Sequence, residues 1–242
     1  MLETTPQPGP DKGSARIRHA AAPSAGSDTL PDLLLIERAR AGDEGAVEAL
    51  IRRYSRRLYR VACSVLMDEE RSEAAVLDAF LTAFSDLNRY ETTGKFAAWL
   101  TRQAFNQARA LRGSARSADL PGRTPEVAPE STSAAPGEDL RERHELEQLI
   151  GRLPEVFRTV YVLRVLEGIS GIETAASLGL HETTVRTRLY RAHRRLAPDV
   201  AQRLRAAPAL LELPPQGAER IVSRALAQLR HGSMLTISAS RP

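Results

Sequence analysis

Cysteine is nearly absent. Cys63 is the single thiol in 242 residues, which excludes an internal disulfide and any multi-cysteine zinc site. Lysine is almost as scarce: of 34 basic residues only Lys12 and Lys95 are lysines, so the positive charge is arginine. No apolar run approaches the roughly 20 residues that cross a bilayer. Residues 1–31 also lack the apolar segment of a signal peptide, so the expected place is the cytoplasm, without membrane insertion. No alternating strand pattern and no internal repeat occurs, which leaves helical periodicity and an all-α fold. Acid–base groupings are sparse too: His144 beside Glu145, and His193 among arginines. No nucleophile, glycine-rich phosphate loop or metal-ligand spacing accompanies them, so no catalytic residue, cofactor or metal is expected.

What is present falls into segments. Residues 1–31 are rich in Pro, Gly, Ala and Ser and read as a disordered tail. Helical periodicity runs over 32–112. A proline- and serine-rich stretch at 113–138 reads as a flexible linker to a second domain at 139–198. In the C-terminal extension, 199–242, Ala218, Ile221, Val222, Ala225, Leu226 and Leu229 share one side of an amphipathic helix over about 216–230. The spacing therefore predicts two small helical domains. The net charge of +4 suits a nucleic-acid partner without requiring one.

The stretch from Leu153 to Leu196 is the most specific. Ile172, Ala175, Ala176 and Leu178 read as the apolar side of a short helix, and Gly179 stands where the chain leaves it by a left-handed turn. Val185, Leu189, Ala192 and Leu196 then form the buried stripe of a second helix. Its other side carries Thr184, Arg186, Thr187, Arg188, Tyr190, Arg191, Arg194 and Arg195, with no acid from Arg186 to Arg195. Guanidinium groups pair with phosphates or reach the O6 and N7 of guanine, so the pattern reads as a helix-turn-helix that lies on DNA.

The first domain shows three buried stripes. One holds Val47, Leu50, Ile51, Tyr54, Leu58, Val61, Ala62 and Val65, and a second holds Leu77, Phe80, Leu81 and Phe84. The third, with Phe96, Trp99, Leu100, Ala104 and Leu111, follows a loop from Tyr90 to Lys95. Arg52, Arg53, Arg56, Arg57 and Arg60 read as a solvated basic ridge. Asp68, Glu69, Glu70, Glu73 and Asp78 read as an acidic patch. Cys63 falls on an apolar side and reads as a core thiol, and Trp99 by its spacing reads as core.

Several motifs resemble the extracytoplasmic-function group of bacterial RNA polymerase sigma factors. They are Ala41-Gly42-Asp43, Arg57-Leu58-Tyr59, and Phe96, Trp99, Leu100 and Asn106. In the second domain they are Leu153-Pro154, Arg158, Glu167-Gly168-Ile169-Ser170, Glu173, Ala175, Leu178-Gly179, Thr184-Val185-Arg186, Arg188-Leu189 and Arg191-Ala192. The resemblance spans about 33–197. It implies sigma domain two at 32–112 and sigma domain four at 139–198, acting as a promoter-specificity factor on core RNA polymerase. It further implies minus-thirty-five contacts from Thr184, Arg186, Thr187, Arg188, Tyr190 and Arg191. The minus-ten element, met as an opened strand, would fall to Tyr90, Thr92, Lys95, Asn106, Arg109 and Arg112, with Tyr90 as the stacking ring. Glu73, Leu77, Asp78 and Leu81 would face the beta-prime clamp helices, and domain four the beta flap. An inhibitory anti-sigma factor is a further partner that the resemblance implies.

The chain departs from the family pattern at several places. Ala74 and Leu77 stand where an Asp and a Gln are usual, Ala110 where an Asp is usual, and Gln103 where an apolar residue is. His181 and Thr183 replace the usual capping hydroxyl and glycine ahead of the recognition helix. The residues also fit a helix-turn-helix regulator that binds duplex DNA without polymerase. That alternative predicts a footprint from the protein alone.

Overall fold

Every described element of the computed structural model is helical; the structure describes residues 30–91, 95–118, 138–207 and 210–239. Most of the expected N-terminal tail, Thr92 and most of the expected linker lie outside the described residues. Helix α1 (Asp32–Arg40) leads into α2 (Glu44–Leu66) and α3 (Glu69–Ser85). After a 3-10 turn at Leu87–Arg89 comes α4 (Phe96–Ala118), which continues past Arg112 into the stretch read as linker. The second set is α5 (Glu138–Gly151), α6 (Glu155–Tyr161) with a π-helical turn at Val162–Leu166, α7 (Gly171–Leu178) and α8 (Glu182–Arg195). Helices α9 (Pro198–Ala206) and α10 (Gly217–Ala239) complete the chain.

Local chemistry sets the helix starts. The Asp43 carboxylate accepts from the backbone N–H groups of Gly45 and Ala46, satisfying donors that have no partner within α2. Asp68 does the same for α3 through the N–H of Arg71. Helix α2 is the axis of the first domain. All eight residues of its expected stripe are buried, and all but Val61 share a core with Val76, Phe80, Phe96, Leu100 and Ala104 of α3 and α4. Cys63 is buried with them, and burial pushes its thiol up to about 11.

The two sets of helices are packed on each other. Helix α7 lies against α4, and α6 against α2. Val61 of α2 is enclosed by Val160, Leu163, Ile169, Ala175, Leu178 and Val185, with Phe105 of α4 beside them, so the first domain helps complete the core of the second. Polar groups seal the contact. Arg158, 7% exposed, donates to the carbonyls of Ser64 and Val65 in the last turn of α2, and to those of Gly151 (2.7 Å) and Leu153 (3.1 Å). Those α2 carbonyls have no partner inside the helix and carry the negative end of its dipole, so a guanidinium from the other domain caps them.

The basic ridge on α2 is only in part the solvated face that its sequence suggests: Arg52 and Arg56 are exposed, but Arg53, Arg57 and Arg60 are drawn inward. Arg60 is 2% exposed and pairs with Glu167 (2.7 Å) and Glu212. Arg57 pairs with Glu173 (2.5 Å), Arg53 with Asp32 (2.6 Å) and Arg52 with Glu219 (2.7 Å). The carboxylates lie 21 to 167 positions away in the chain, beyond the reach of any local charge pattern. The first helix of the helix-turn-helix needs a second correction. Ile172 is 67% exposed and Ala176 is exposed, whereas Thr174, Ala175, Ser177 and Leu178 are buried. Helix α7 is turned so that small hydroxyl side chains take the crowded inner positions.

Candidate nucleic-acid interface

Helix α8 presents the arginines. Val185 and Ala192 are buried, Leu196 is buried just past its end, and Leu189 is half-buried; this anchors one side and fixes the other outward. Gly179, at φ +65°, takes the left-handed conformation that turns the chain from α7 into α8. No side chain caps the start of α8, since His181 stands at the N-cap without a hydrogen bond to it. Arg186, Thr187, Arg191, Arg194 and Arg195 are exposed, Thr184 and Arg188 half-exposed, and Tyr190 is 60% exposed.

Two shallow grooves run beside this face. One is lined by Thr183, Thr184, Thr187, Arg188 and Arg191 together with Val156 and Phe157 of α6. The other lies between Phe157, Tyr190, Arg191, Arg194 and Arg195, with the Arg195 guanidinium 4.9 Å above the Phe157 ring. Val156 and Phe157 have no place in the sequence reading. Their only signal is an apolar pair at the start of a helix, which looks like core. His193 packs edge-on against Tyr161, and burial, aided by Arg205, holds its imidazole below the usual range. It is a neutral packing group in a cationic surrounding.

The residues implied for the minus-ten element are divided among different environments. Asn106 and Arg109 are exposed on α4, with Arg109 over the Phe105 ring at 5.7 Å, and Lys95 is exposed ahead of it. Arg112 pairs with Glu155 at the start of α6. Tyr90 is not the open stacking ring expected of it: it is 7% exposed, wedged against Phe96 (5.4 Å) and Trp99 (5.0 Å). Its carbonyl accepts from Arg40, and burial pushes its phenol up. Trp99, half-buried, is the more open of the two rings.

Of the residues implied for the polymerase, Leu77 is buried in the core with Phe80, because it shares the apolar stripe of α3. Asp78 is exposed and Leu81 half-buried. Glu73 is held by Arg220 of α10 through two hydrogen bonds of 3.0 and 2.6 Å.

Comparison with known proteins matches this arrangement to a family. The model for Sigma-70 region 2 matches residues 50–117, and that for Sigma-70 region 4 matches residues 143–196. The chain is similar to the RNA polymerase sigma factor NccH of Alcaligenes xylosoxydans xylosoxydans, 30% identical over 70% of this chain and 95% of that one. It is equally similar to the ECF RNA polymerase sigma-E factor of Escherichia coli (strain K12), 30% identical over 69% of this chain and 92% of that one. A solved structure of CnrH in complex with the cytosolic domain of CnrY is 26% identical, covers 72% of this chain and 97% of that one, and superposes with a TM-score of 0.49. With both of its conserved regions matched in order, the chain belongs to the extracytoplasmic-function RNA polymerase sigma factors.

Proposed function

We propose that this sigma factor grips its promoters at two points, reading the minus-thirty-five element with α8 and the opened minus-ten strand with α4 and Lys95 just ahead of it. The observation that carries the reading is the acid-free arginine side of α8, open to solvent on a helix anchored by Val185 and Ala192. Arg186, Arg188 and Arg191 reach base edges and phosphates, while Thr184, Thr187 and Tyr190 position the helix. On α4, Asn106 and Arg109 with Lys95 meet the unpaired strand. Extruding a base costs a few kcal/mol, which stacking and hydrogen bonds in a pocket offset. Asp78 and Leu81 of α3, with Glu73, face the beta-prime clamp helices, and domain four meets the beta flap. The factor acts in the cytoplasm, and an anti-sigma factor that recognises these surfaces would hold it inactive.

Run-off transcription with purified core polymerase tests the reading. The intact chain directs initiation from a subset of genomic fragments. Arg188→Ala and Arg191→Ala each reduce promoter output by about 5- to 150-fold, the effect of losing a bidentate base contact of ~1–3 kcal/mol. Unchanged output from both variants would remove α8 from the promoter. Sequence-specific binding by the protein alone, with no transcript in the presence of core, would instead favour a polymerase-independent regulator.

A further inference from the structure

Helix α10 lies across α2 and α3, outside the part of the chain that the family models match, which ends at Leu196. Its inner side is apolar: Ile221, Val222 and Ala225 are buried, and Leu226 and Leu229 are half-buried. Ion pairs rim that strip. Arg220 holds Glu73 of α3, Glu219 holds Arg52 of α2, and Arg230 pairs with Glu44 at the start of α2 through Nε at 2.7 Å. A small apolar centre with a charged, exposed rim is the anatomy of a docking interface. The strand of chain leading to it is tied down as well, by Glu212 on Arg60 and by the Leu211 N–H on Glu147 (2.9 Å).

We propose that α10 is a cis-acting cover on the polymerase-facing side of α2 and α3, so that core polymerase must displace it to bind. The proposal rests on the reading that α3 faces the polymerase. Glu73 is the point of conflict, since the side chain implied for the polymerase is already held by Arg220. The chemistry of the cover is complementary to what it hides: Arg220 and Arg230 meet acidic groups at Glu73 and Glu44, and an apolar strip meets an apolar groove. When the covered state holds about nine-tenths of the molecules, the apparent affinity for polymerase falls about tenfold.

The test measures binding of the full chain to core polymerase, with three variants. Arg220→Glu combined with Arg230→Glu repels the acidic side of the groove and changes only exposed residues; it binds core about tenfold more tightly than the original chain. Arg52→Cys with Glu219→Cys, joined by a cleavable bis-maleimide, holds the cover shut while Cys63 stays buried. That form loses core binding and regains it on cleavage. Asp78→Arg, on α3 away from the ion pairs of α10, weakens core binding and reports on the α3 reading separately. Joined protein that binds core as tightly as its cleaved form overturns the cover, while the α3 reading stands if Asp78→Arg is weak. Asp78→Arg that binds as well as the original chain overturns the α3 reading, and the cover with it.

Discussion

Helices α8 and α3 each carry a charged surface, but the arginine side of α8 is open to solvent, whereas α3 lies under the protein's own C-terminal helix. The charge patterns account for the difference. The exposed side of α8 carries arginines and no acid from Arg186 to Arg195, and the C-terminal segment that could fold back is itself rich in arginine. Arg205 of α9 lies beside His193 of α8, but among the described residues no carboxylate of that segment pairs with the exposed arginines of α8. Helix α3 and the start of α2 carry Glu73 and Glu44, and these are the groups that Arg220 and Arg230 find. An acidic surface in a chain rich in arginine is the one that becomes covered from within. On the proposed reading, the half that meets DNA is open at all times and the half that meets polymerase only when α10 is displaced.

The sharpest break in this comparison is the joint between the halves. Arg158→Ala strips the caps from the last carbonyls of α2 and leaves buried acceptors without donors. The expected loss is about 3–5 kcal/mol, the range for disrupting a buried charged group with its partners. Chemical denaturation followed by far-UV circular dichroism measures it, and a second, earlier transition marks uncoupling of the domains. Arg158→Lys restores only part of the loss, because an ammonium cannot fork to four carbonyls. A loss under about 1 kcal/mol would mean that the domains are not held through this residue.

Next in size are the α8 substitutions. Arg188→Ala and Arg191→Ala each cost ~1–3 kcal/mol in promoter binding, and they leave folding stability within about 0.5 kcal/mol, as expected of exposed positions. Arg158→Ala does the reverse, and that opposition separates the reading surface from the joint. Gly179→Ala lies between: its φ of +65° costs an alanine about 1 kcal/mol. The added Cβ would sit 2.7 Å from Nη2 of Arg102, the far end of a flexible side chain that can move aside. The melting temperature should fall by a few degrees, and Gly179→Asn should recover part of it.

Most of the helices were readable from the sequence because apolar spacing and caps are local. The α2 stripe, the Val185–Ala192 anchor and the apolar side of α10 are all set within a few residues. The failures share one cause. Arg60 and Arg57 look like solvated arginines, and Arg112 like a minus-ten contact, because their partners Glu167, Glu173 and Glu155 are far away in the chain. Ile172 looks like core because it is the most apolar residue of α7. Close packing of α7 against α4 instead favours the small Thr174 and Ser177 on the inside. Tyr90 looks available because it begins a loop, but Arg40, Phe96 and Trp99 fix it from two other segments. Each error is a long-range contact that no local period contains.

The smallest expected effect concerns what holds the cover on α3. The Arg230 hydrogen bond lowers Glu44 below the usual carboxylate range, and the Arg52 hydrogen bond does the same for Glu219. A carboxyl whose pKa is lower in the docked state binds fewer protons there than when released. Docking is therefore favoured fully above the free glutamate value of about 4.3, and is lost as pH falls through the lowered values. Glu48, Arg52, Glu73 and Arg220 share this surface, and Arg52, Arg220 and Arg230, raised by their carboxylate partners, keep their charge over that window. Energy transfer between dyes placed at Ser85→Cys and Ser223→Cys follows the docking of α10, while far-UV circular dichroism confirms that the remaining helices persist. Transfer should hold steady from pH 8 to about 5 and then decline, and added salt should lower the plateau because the rim pairs are exposed. A decline centred near pH 6.5 would point to a histidine and remove these carboxylates as the fastening. On α8 the exposed arginines are joined by His193, held below the usual imidazole range, and its protonation as pH falls adds positive charge, so the proposed binding of promoter DNA by α8 should not weaken over the range in which α3 becomes uncovered.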